Sequence, residues 1–446
     1  MILPLFLVIF FCILGVLTGI ATGLLPGLHV NNIAIILLSL SGIIIAAFSF
    51  LYEYDLSEEF ILVLICVFII STSISHTFHD VIPSTFLGAP DEDTALSVLP
   101  AHSLLMEGKG YEAVALSAMG SYGAIIFCFL LLFPIRFLIG NPLFFYETLR
   151  EIMFFVLLAI TILMIGTEKS KIGKFRIKYL SSISGMLFAL FVFLLSGIFG
   201  IIIFKIPVDS PIGLSSPVLF PALAGLFGTP TLLESLMTKP SIPNQIIKDP
   251  SLDGCMKKSS TLSVITGSLG GVLVSIIPGI TSATGTILAM NARGESNKRQ
   301  TIITLSAVNT ACAFFVVVVM FVILRSRSGA TLAAMELMAV SEWTNILMPA
   351  NLAYLLIALL LGGTLSYFFT LKVGKIFAKK FANVPYALIV KLTISLIVGM
   401  VFLFTGLLGL LILIIATLIG LLPVEWGVRR SHCMGILLFP ILLYFL

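Results

Sequence analysis

"TGLLPGLHVNNIAI" (22–35) interrupts an apolar run with Pro26 and Gly27, followed by His29, Asn31 and Asn32. "SIIPGITSATGTI" (275–287) repeats the pattern with Pro278 and Gly279, followed by Thr281, Ser282, Thr284 and Thr286. Proline cannot continue a helix ladder, and glycine permits a sharp turn. Each stretch therefore reads as two half-helices joined at a break. The half-helix after each break presents free N–H groups and the positive end of its dipole, both of which attract anions. Backbone that leaves a helix inside a membrane must be buried in protein or line a water-filled cavity. One such break alone reads as a packing kink eased by small residues. Two matching breaks point to a site.

The rest of the chain places these breaks in a bilayer. Of 446 residues, 59% are hydrophobic and only 10% charged, and the mean hydropathy is +1.18. Soluble domains carry about 25% charged residues. Apolar runs of about 20 residues recur from end to end, each long enough to cross a bilayer core. These runs predict an all-α, polytopic, multi-pass integral protein of the cell membrane with roughly 10–12 membrane helices. A β-barrel would show short alternating segments instead. The first apolar run lacks a basic n-region and a small-residue cleavage site, so a retained helix is expected. The net charge of +4 lies in loops and gives no reason to expect nucleic-acid binding. The six cysteines form no CxxC pair, so neither a zinc knuckle nor a disulfide framework is expected. Neither a Walker-type glycine loop nor HExxH is present. The expectation is a protein that is not an enzyme, with no resident cofactor or metal.

Lys and Arg mark cytoplasmic loops. The segments 168–178 and 372–380 are rich in them, 239–258 and 293–299 are also basic, and "YEYDLSEE" (52–59) has none. The second break lies between two basic flanks. Segment 259–291 is therefore expected to enter and return on the cytoplasmic side, as a re-entrant hairpin. The first hairpin is expected to open outward. Hairpins of opposite orientation indicate an inverted repeat, with halves 1–203 and 204–446, the second including the C-terminal helices. "DEDTALSVL" (91–99) then corresponds to "SGATLAAMEL" (328–337).

The substrate-binding candidates are Pro26, Gly27, His29, Asn31 and Asn32 in one half, and Pro278, Gly279, Thr281, Ser282 and Thr284 in the other. "STSISHTFHD" (71–80) is polar for a membrane segment. Thr72, His76 and Asp80 are spaced four apart and share one helical face. Ionisable groups in membrane segments mark ion or proton paths, so these three are candidates for coupling to Na+ or H+. Asn309 and Thr310 are their counterparts in the second half, although a lone membrane asparagine also serves as interhelical glue. These features fit a secondary transporter, a permease for a small organic anion. The alternative is a translocase for a lipid phosphate of the polyprenyl type. That alternative usually needs Arg or Lys at depth, which neither hairpin has.

"GLLPGLHVNNIAI" (23–35), "STFLGAPDEDTALSVLPAHSLLMEGKGYEAVALSAMGS" (84–121) and "GGVLVSIIPGITSATGTI" (270–287) together resemble the large membrane subunit of the tripartite tricarboxylate transporters. Gly88–Pro90, Thr94, Pro100 and Gly110–Leu116 fall in order on that family's second motif. Its E-x-A-N-N-A signature has "SAVNTACA" (306–313) as counterpart, with Asn309 on one asparagine. The resemblance implies carboxylate transport. It also implies two partners, an extracytoplasmic binding protein and a small membrane subunit.

Overall fold

The computed structural model describes residues 2–25, 34, 37–38, 40–48, 56–87, 98–168, 178–211, 218–238, 243–250, 254–278, 280–294, 297–381 and 386–446. Every regular element among them is helical. Among the described residues, eight helices are long and apolar enough to cross a membrane, nine if one bent pair is counted as a span. The chain is a multi-pass membrane protein. Pro26, Gly27, His29, Asn31, Asn32 and Gly279 lie outside the described residues.

The described chain begins with α1 (Ile2–Gly23), α2 (Ser41–Ala47), α3 (Glu58–His79), α4 (Val81–Leu87), α5 (Val98–Met106) and α6 (Gly110–Ile139). The bent pair follows, α7 (Phe145–Glu151) and α8 (Met153–Gly166), inclined at 72°. Then come α9 (Lys178–Ile203), α10 (Leu219–Leu223), a π-helical turn (Ala224–Gly228) and α11 (Thr229–Thr238). They are followed by α12 (Gly254–Ile276), α13 (Ser282–Arg293), α14 (Lys298–Val322), α15 (Gly329–Leu337), α16 (Ala350–Phe381) and α17 (Tyr386–Glu425). A 3-10 turn (Arg430–Met434) and α18 (Gly435–Tyr444) close the described chain.

Packing follows the small residues. Lipid is as apolar as leucine, so membrane helices associate through close backbone approach at small side chains. Gly15, Gly19 and Gly23 form a ridge along α1, and a Cβ at Gly19 would sit 2.5 Å from the Thr72 carbonyl oxygen on α3. Gly267 and Gly271 do the same on α12 against α14. Helix α3 also packs on α16, and α14 on α6. At Gly271 an added Cβ would meet the Ala311 Cβ and the Val308 carbonyl, both at 2.6 Å. We expect Gly271→Val to destabilise the protein by about 1–3 kcal/mol through overpacking. Gly399→Ala, where nothing lies within 4 Å, is expected to melt like the parent chain. Detergent thermal melts of the two variants test this, and equal melting temperatures would count against the close packing.

The break at Pro278 makes an antiparallel helical hairpin. Arg293 at the end of α13 reaches back to Ser263 on α12, with 2.8 Å between guanidinium and hydroxyl. Midway along the arms, a Cβ at Gly270 would lie 3.0 Å from the Gly285 carbonyl. At 1.5 Å per residue, the paired arms reach about 20 Å from the level of Ser263 to the tip. That is short of the bilayer core of about 30 Å, although α12 as a whole is long enough to cross it. The long α17 breaks at Gly406, whose φ of 62° lies in the left-handed region that favours glycine. Its arms, 386–405 and 407–425, are each long enough to span.

One end of the bundle carries a buried ionic cluster. Glu168, just past α8, is 4% exposed. Its Oε2 accepts from Arg429 Nε at 2.6 Å and from His432 Nε2 at 2.7 Å. Arg430 pairs with Glu234 of α11 at 3.2 Å. The cluster ties the bent pair to the 3-10 turn and to α11.

Candidate substrate-binding cavity

A cavity of about 530 Å³ opens between α3, α14, the hairpin tip and α15. Its size falls within the range of small-molecule sites, about 300–1,000 Å³. Two helix starts border it. Thr281 caps α13, its side-chain oxygen accepting from the Thr284 N–H, and Thr281 and Ser282 line the cavity. Ser328 caps α15 through a capping box with Thr331, at 3.2 Å and 3.0 Å for the two reciprocal bonds. Ser328 and Ala330 line the cavity as well.

The two helices reach the cavity from opposite ends of the bundle. Helix α13 ends at Arg293, beside the start of α14 at Lys298. Helix α15 runs the other way. Past its end, the Trp343 N–H bonds the Phe321 carbonyl near the end of α14 at 2.7 Å. Each helix start carries a partial positive charge of about half an elementary unit, and both face the same space.

Arg327 completes this positive end. It directly precedes the α15 cap, lines the cavity and is half-buried. Its guanidinium hydrogen-bonds the Val274 carbonyl near the hairpin tip, and its N–H donates to Thr331 Oγ1 at 3.1 Å. A guanidinium stays charged in proteins and presents a planar fork of donors suited to a carboxylate. Sequence reasoning missed it because the search for a deep cation stopped at the Pro-Gly segments. The signal lay in "RSRSGATL" (325–332), where an arginine stands one residue before a Ser-x-x-Thr cap.

The remaining candidates divide around this cavity. Pro278, Thr281, Ser282 and Asn309 line it. Thr284 is fully buried, its hydroxyl 3.9 Å from the Met164 sulfur. Thr310, next to Asn309, is also fully buried. On α3, it is Ser73 and Thr77 that line the cavity. Thr72 and His76 lie one residue earlier and are turned towards α1. The Thr72 hydroxyl bonds the Phe68 carbonyl at 2.8 Å, and His76 Nδ1 pairs with Thr22 Oγ1 at 3.2 Å. Asp80 is 7% exposed at the junction of α3 and α4, where its carbonyl accepts from Ser84 Oγ at 2.8 Å. Neighbouring His79 bridges the Ser75 carbonyl at 2.7 Å and Thr370 Oγ1 of α16 at 3.3 Å, holding α3 to α16.

Helix starts that meet a half-buried arginine inside a multi-pass helical protein are a feature of membrane transporters built on discontinuous helices. Comparison with known proteins names the family. The description of the tripartite tricarboxylate transporter TctA family matches residues 9–435, so the chain belongs to that family of transporters. An uncharacterised protein of Methanocaldococcus jannaschii is 29% identical over 427 residues, covering 94% of each chain. No solved structure matches.

Proposed function

We propose that the chain is the large subunit of a secondary transporter whose cavity binds the carboxylate of a small organic anion. Arg327 carries this reading, because it adds a fixed cation where the starts of α13 and α15 converge. Thr281, Ser282, Ser328 and Asn309 supply neutral donors around it. Pro26, Gly27, His29, Asn31 and Asn32 stay the candidates from the sequence for the second half of the site, and rocking of two repeated halves alternates access. Parallel packing supports the repeat: a glycine ridge seats α1 on α3 as another seats α12 on α14. An extracytoplasmic binding protein delivers the substrate, and a small membrane subunit completes the assembly.

The test is direct binding of radiolabelled carboxylates to the purified chain in nanodiscs, with a polyprenyl phosphate as competitor. Saturable carboxylate binding that depends on Arg327 is expected. Binding of the lipid phosphate alone would favour the translocase.

Coupling is assigned to Asp80. It is the one buried carboxylate inside a candidate span among the described residues, and such groups mark ion paths. Asp80→Asn is expected to remove gradient-driven accumulation in vesicles carrying the assembled transporter. Substrate binding without a gradient is expected to stay within about threefold of wild type, under 1 kcal/mol. Unchanged ion dependence of uptake would remove Asp80 from the coupling path.

A further inference from the structure

The wall of the same cavity narrows the substrate further, an inference that rests on the carboxylate site proposed above. We infer that the ligand carries a single carboxylate on a bulky apolar body. Among the described lining residues, Arg327 is the one cation. The two helix starts add about one further charge between them, at the same place. Among the described residues that suffices for one strongly held carboxylate.

Position argues the same way. Away from the helix starts the wall is largely aliphatic: Ile70 and Ile74 from α3, Val316 and Val317 from α14, Leu437 and Ile441 from α18. Ser73, Thr77 and Asn309 interrupt it with neutral groups only. A second carboxylate, held away from the first by its own carbon chain, would rest against this aliphatic surface. Burying an ion without a partner is strongly unfavourable. An alkyl or aromatic body there instead removes apolar surface from water on both sides. A cavity of about 530 Å³ has room for such a body beside the charged end.

The experiment measures affinities of the full chain in nanodiscs for 3-phenylpropanoate, phenylsuccinate, acetate and citrate. The first two share an aromatic body and differ in carboxylate number, while acetate keeps the carboxylate without the body. We expect 3-phenylpropanoate to bind at least about tenfold tighter than each of the others, about 1.4 kcal/mol. Ile441→Asn is expected to weaken 3-phenylpropanoate and leave acetate unchanged, and equal effects on both would overturn the role of the wall. Citrate binding tightest, and lost in Arg327→Gln, would overturn the single-charge inference while the carboxylate site stands. Acid binding indifferent to Arg327, no binding of any acid, or tight binding of a polyprenyl phosphate alone would overturn both readings.

Discussion

Arg327→Gln is expected to weaken carboxylate binding by about a hundredfold. A hydrogen bond to a charged group contributes about 1.5–3 kcal/mol, equivalent to roughly ten- to 150-fold in affinity. The two-donor fork and the poorly solvated setting favour the upper part of that range. Arg327→Lys keeps the charge and loses the fork, so it is expected to recover only part of the affinity. Arg327 also bonds the Val274 carbonyl at the hairpin tip, so a melting curve must accompany each binding isotherm. Lost affinity at a nearly unchanged melting temperature identifies a ligand-binding role. Lost affinity with a large drop in melting temperature identifies a structural anchor. Wild-type affinity in Arg327→Gln would exclude the guanidinium from the site.

Glu168→Ala is expected to cost about 3 kcal/mol of stability. Removing one partner of a buried ion pair costs about 3–5 kcal/mol. The lower end applies because the Arg429 side chain is 34% exposed and regains water, whereas His432 is fully buried. A pH series separates this from simple packing loss. Burial alone would raise the carboxyl pKa, but hydrogen bonds from His432 and Arg429 outweigh it and hold the value at about 2, against an ordinary 4.5. A carboxyl with a depressed folded pKa binds fewer protons folded than unfolded. Its stabilisation is therefore complete above pH 4.5 and is lost as the pH falls from there towards 2. Melting curves across that window should fall steeply for the parent chain and less steeply for Glu168→Ala. Parallel slopes would remove Glu168 as the source of the acid sensitivity.

Much of the architecture was legible. Composition alone excluded a soluble domain, and the Pro278–Gly279 pair announced the break and the new helix start after it. The long apolar run after Tyr386 splits at Gly406, a residue that tolerates the left-handed conformation found there. Such features depend on residues within a turn or so of each other. The glycine ridges of α1 and α12 were also present as letters, but only the packed partner shows which face needs them. On α3 the face chosen from the positions of Thr72, His76 and Asp80 points at α1 through His76. The next face, with Ser73 and Thr77, meets the cavity. A one-residue step rotates a helix position by about 100°, so spacing groups residues on a face without saying what that face meets.

The sequence by itself determined a helical membrane protein, the break at Pro278 and the helix start that follows it, because hydropathy and proline geometry act locally. Only the tertiary structure decided that the start of α15 comes to face the start of α13, with Arg327 between them. The same is true of Glu168 meeting Arg429 and His432. These groups are far apart along the chain, and no periodicity links them. Helix packing brings them together, and the cost of leaving a charge unpartnered in low dielectric makes their meeting consequential.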